Sequence, residues 1–113
     1  MKRIDIINMY GVLGKIKLNK VEDRMLRNSL IGDHLKMFRV ARECDEYVAA
    51  LTGRFDPGAV KEANEAYQSY LNETVDIGLD GIGRDALCDI VDKGDIEMTL
   101  GELALLEPYF TEG

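Results

Sequence analysis

From Val21 to Leu51 the chain contains no proline and only one glycine, Gly32. Nothing in this stretch interrupts a helix. Glu22 and Asp23 place negative charge at its start, where the helix dipole favours it, and Gly53 supplies a stop. At 1.5 Å per residue the helix would run about 45 Å, longer than a compact domain of 113 residues needs. The rest of the fold has to be arranged around that rod.

Its side chains form two apolar groups. Leu30, Met37, Val40, Cys44, Tyr47 and Leu51 alternate between the a and d positions of one heptad frame, with Leu26 continuing the stripe upstream. Asp33 occupies the one remaining core position of that seam. Ile31, Leu35 and Phe38 lie on roughly the opposite side, flanked by Arg24, Arg27, Arg39 and Arg42. A helix apolar on two opposed faces must be covered twice, by other helices of the chain or by another subunit.

Asp56-Pro57 reads as an N-cap followed by proline at the first helical position, opening a third helix to about Leu71. Val60, Ala63, Tyr67, Tyr70 and Leu71 share its stripe, and the short Gly53–Asp56 connection predicts an antiparallel helical hairpin. Residues 4–17 are apolar nearly all round a helical projection and predict a short N-terminal helix, although their start also reads as a strand, with a turn at 17–20. After Glu73 the period changes: Val75, Ile77 and Leu79 alternate with polar residues or glycine, as do Ile96 and Met98. Two short strands, 75–79 and 96–98, are therefore expected. Arg84–Val91 predicts a helix stopped by Gly94, with Leu87, Ile90 and Val91 inward. Thr99 and Glu102 match a capping box ahead of a last helix that Pro108 ends. The expectation is a mainly α single domain, 1–113. Its helical part covers 1–73, and a small α/β-like extension of two short strands and two short helices covers 74–113.

Charge is divided along the chain. Residues 1–54 carry eleven Lys/Arg against seven Asp/Glu, and residues 55–113 carry three against fourteen, within a net charge of −7. Such polarity suits halves that attract each other, head-to-tail assembly, or a basic face for an anionic partner. The acidic total disfavours nucleic acid, since phosphate neutralisation dominates that affinity. Cys44 and Cys88 form no metal-like spacing and fit reduced cytoplasmic thiols. No stretch approaches the ~18 apolar residues of a membrane span, and Asp5 interrupts the apolar run after Lys2 and Arg3, so no secretory leader is expected.

Catalytic chemistry finds no pattern to stand on. Asp76-Ile77-Gly78-Leu79-Asp80-Gly81 resembles the start of a calcium loop, but Gly78 and Leu87 replace two of its oxygen ligands, including the bidentate one. Gly78, Gly81 and Gly83 precede a helix without the lysine of a phosphate loop, and Asp80 and Asp85 repel an anion. His34 is the one histidine and has no nucleophile or carboxylate at a diagnostic spacing. No catalytic residue, metal ligand or cofactor is assigned. The expected function is a non-catalytic module that self-associates or docks on another protein through helix 21–51. Its expected interface is Ile31, Leu35 and Phe38 with Arg24, Arg27, Arg39 and Arg42. The alternative is an anion-binding or small-ligand-binding protein that uses the arginine side of the same helix.

Overall fold

The computed structural model describes residues 1–54 and 58–111. The long helix is present as α2, Arg24–Arg54, 31 residues, shifted three residues from the expected 21–51: Gly53, read as its stop, lies inside the helix. The Asp23 side chain accepts the Leu26 N–H at 3.1 Å, and its carbonyl accepts the Arg27 N–H at 2.9 Å. That satisfies donors a helix start leaves open. The molecule measures 51 × 25 × 25 Å, so α2 sets its long axis.

α1, Arg3–Leu13, packs across the first half of α2 and buries Ile6, Met9, Val12 and Leu13. A 3-10 turn, Leu18–Lys20, leads into α2. α3, Val60–Leu71, returns along the second half of α2. The Tyr47 and Tyr70 rings stack 3.9 Å apart, and the Tyr47 hydroxyl donates to the Ala66 carbonyl at 3.3 Å. The helical hairpin is therefore antiparallel, as expected from the short connection between its helices. Asp56 and Pro57, expected to open α3, lie outside the described residues, and α3 itself begins later, at Val60.

The C-terminal extension contains α4, Arg84–Lys93, and α5, Leu100–Leu105. Leu87 and Ile90 are buried and Gly94 caps α4. At Thr99 the capping box is complete: the hydroxyl accepts the Glu102 N–H, and the Glu102 carboxylate accepts the Thr99 N–H, both at 3.1 Å. Met37, Val40, Leu87, Ile90, Leu106 and Tyr109 join the α1 residues in one core cluster.

The strands fall elsewhere than the alternation indicates. They are β1, Ile82–Gly83, and β2, Phe110–Thr111, paired in parallel with Ile82 opposite Phe110. Residues 75–79 and 96–98 are irregular. Their alternation is real as a burial pattern, since Val75, Ile77, Leu79, Ile96 and Met98 all pack against the core. The ladder is what is missing. Val75 exchanges backbone hydrogen bonds with Met1, and Lys2 bridges Thr74, but Gly78 then turns away at φ +60° and its carbonyl accepts from Lys36 Nζ at 2.7 Å. A half-buried segment without a partner strand is not a strand.

Asp33, the misfit of the seam, is 1% exposed and fully engaged. Its Oδ1 accepts the Asp80 N–H at 2.9 Å, and its Oδ2 accepts the Gly81 N–H at 3.1 Å and the Tyr109 hydroxyl at 2.6 Å. With the Lys36 contact and a Ser29 hydroxyl bond to Asp80 at 2.9 Å, one polar stripe of α2 holds the 78–81 turn.

Candidate functional site

α1, α3 and the C-terminal extension cover the seam side of α2. The opposite side stays open. Ile31 keeps 38%, Leu35 50% and Phe38 40% of its surface exposed. Exposed apolar residues are ordinary when scattered, but three on successive turns of one face form a patch. α1 reaches its margin: the Tyr10 ring stacks on His34 at 4.6 Å between centroids and lies 6.0 Å from Phe38. Beside Ile31 and Leu35 is a hollow of about 260 Å³ lined also by Leu13, Ile16, Leu18 and Leu30.

The four arginines rim this patch without converging. Arg24, Arg39 and Arg42 are exposed. The Arg27 side chain donates to the Val21 carbonyl at 3.5 Å at one end of the face. At the other, Arg42 lies 5.9 Å from the Phe38 ring centroid and 3.9 Å from Glu46. Arg24 and Arg42 stand about 27 Å apart along the helix axis at 1.5 Å per residue.

Leu18, Tyr10 and His34 belong to this face and were not assigned to it by periodicity. Leu18 sits in the turn before α2, where no repeat marks it, and Tyr10 is on another helix. His34 borders the patch, and its Nε2 is buried with no hydrogen-bond partner among the described residues.

The carboxylates of Asp76 and Asp80, in the segment compared with a calcium loop, are exposed. Asp76 accepts the Gly78 N–H in a local turn at 3.2 Å, and Asp80 is held by Ser29. No group of three or more metal-ligating side chains occurs among the described residues. A groove of about 400 Å³ between 74–81 and 108–111 is lined by the loop that Asp33 braces. Burial pushes the Cys44 thiol up, opposite to what a nucleophilic thiolate needs. Among the described residues no helix is long and apolar enough to cross a membrane.

Fold and face together define an elongated, mainly α protein with one helix face left open. Comparison with protein-family models, with curated proteins and with solved structures gives no match.

Proposed function

We propose that this chain is a non-catalytic assembly module that self-associates through the outer face of α2. The observation that carries the reading is the patch of Ile31, Leu35 and Phe38, exposed on a helix whose other side is buried at Leu30, Asp33, Met37, Val40, Cys44 and Leu51. An apolar centre rimmed by arginines is the usual anatomy of a protein interface. An anion site would need those arginines gathered on one point, and here they are spread along the helix. The free thiols of Cys44 and Cys88 suit a reducing, cytoplasmic setting for such a module.

Light scattering at low and high salt tests it. A defined oligomer is expected, with Leu35→Asp giving a monomer of unchanged helical circular dichroism. A monomeric wild-type protein at both salts overturns the reading.

A further inference from the structure

The outer face of α2 carries an order of charge that its composition conceals. Arg24, Arg27, Ile31, Leu35, Phe38, Arg42, Asp45 and Ala49 follow one another at steps of three and four residues, so they form one continuous stripe. Glu46 lies beside Asp45 at the edge of the same stripe. Its N-terminal end is positive and its far end, beyond Arg42, is negative. Leu35 is at the middle. Arg24, Asp45 and Glu46 are all exposed.

We infer that two copies pair through this stripe as an antiparallel α2–α2 dimer, with the two-fold axis passing Leu35. The inference rests on the self-association proposed above and specifies its geometry. In this register each residue faces the one whose number completes a sum near 70. Leu35 meets Leu35, and Arg24 of each copy meets Asp45 and Glu46 of the other. Because the contact is two-fold, the charge pairing occurs twice and the interface closes on itself. A parallel pair would set Arg24 against Arg24 and Asp45 against Asp45, like charges at both ends. One kind of like-charge approach remains in the antiparallel register, Arg27 toward Arg42 of the other copy, and it too occurs twice. There Arg27 is turned to the Val21 carbonyl and Arg42 toward Glu46, which moderates it.

The hollow beside Ile31 gives a second, independent reason for the same register. Its walls are mainly apolar, with Leu13, Ile16, Leu18, Leu30, Ile31 and Leu35 joined by Gly14 and the His34 ring. The side chain that the two-fold brings opposite Ile31 is Phe38 of the second copy, an exposed aromatic. An aromatic side chain seated in an apolar hollow near the centre of a contact is a typical anchor of binding energy. Two such insertions, related by symmetry, flank Leu35.

Paired nitroxide labels decide the geometry, with the mass of the same samples measured by light scattering. Cys88 is exposed and is replaced by serine first, while Cys44 is buried and stays. Ala49→Cys places labels about 42 Å apart along the axis of an antiparallel dimer centred on Leu35, and Arg39→Cys places them about 12 Å apart axially. A two-chain mass with the long distance at 49 and the short one at 39 is the expected result. A dimer with short distances at both positions is parallel, and overturns this inference while leaving self-association standing. A monomer overturns both, and an open-ended mass that grows with concentration overturns the closed dimer. Charge reversal checks the register. Arg24→Glu and Glu46→Arg should each weaken dimerisation about three- to tenfold, as two symmetric exposed pairs would, and the double variant should regain wild-type affinity. Failure of the double variant to recover, with helical content intact, overturns the Arg24–Glu46 pairing.

Discussion

The Tyr109 hydroxyl donates a 2.6 Å hydrogen bond to Asp33 Oδ2 across 76 positions of sequence, deep in the core. The same carboxylate also accepts the Asp80 and Gly81 amides. One side chain of α2 thus ties down both the turn entering β1 and the segment entering β2. A buried acceptor with three donors is well satisfied, and removing it strands all three.

Asp33→Ala should therefore cost about 3–5 kcal/mol, and Tyr109→Phe about 1–3 kcal/mol. Against a total stability of roughly 5–15 kcal/mol the first is severe. Urea unfolding of both variants and of the double variant measures them. The double should lose clearly less than the two costs combined, because the partners share one bond. Strict additivity would mean that the bond contributes nothing.

Alkaline pH should act through the same hydroxyl. Burial first, then the Asp33 hydrogen bond and charge, push the Tyr109 phenol far above its ordinary range. In the unfolded chain it ionises near pH 10. The folded state then holds a proton that the unfolded state loses, so stability is intact below about pH 10 and falls above it. Burial also raises Tyr67 and Tyr70, in the same sense. Denaturant midpoints across that range should drop less steeply for Tyr109→Phe. An equal drop in both proteins would assign the effect to other groups.

Gly81→Ala should disrupt the β1–β2 pairing. Gly81 sits at φ +82°, and a Cβ there would lie 2.7 Å from Thr111 Cγ2 and 2.8 Å from the Tyr109 carbonyl oxygen. Left-handed strain and a backbone clash together should cost about 2 kcal/mol or more. Hydrogen exchange at residues 82–83 and 110–111 should accelerate while α2 stays protected. Unchanged exchange at those amides would be evidence against a tight turn.

The two sides of α2 should respond differently to a charge. Val40 is 6% exposed and Leu35 is 50% exposed. Val40→Asp places an unpaired carboxylate in the core and should cost roughly 3 kcal/mol or more, with loss of helical circular dichroism. Leu35→Asp should leave folding within about 0.5 kcal/mol and lower the solution mass instead. Equal loss of secondary structure in both would mean that Leu35 is core.

Local chemistry made the helices readable. The proline-free stretch after Asp23, the Thr99–Glu102 capping box and the Gly94 stop all act within one or two turns, so neighbouring residues suffice to reveal them. The 3.6-residue period likewise separates the Met37–Val40 side of α2 from the Ile31–Leu35–Phe38 side, because it depends only on spacing. The extension was harder. Val75, Ile77 and Leu79 show which side chains turn inward, but a ladder also needs a partner, and among the described residues only Met1 and Lys2 meet its first residues. The two-residue strands that do pair, 82–83 with 110–111, are too short for any alternation to mark.

The sequence by itself placed α2 to within three residues at each end and assigned residues to its two sides, while Gly53, read as its stop, lies inside the helix. Only the tertiary structure decided that Asp33 is a satisfied core residue rather than a flaw in a heptad seam. The same holds for Tyr10, which reaches the margin of the open face by stacking on His34, and for Leu18, which completes its hollow. The reason is physical: caps and periodicity are set by neighbours in the chain, whereas burial and hydrogen bonding depend on groups that only folding brings together.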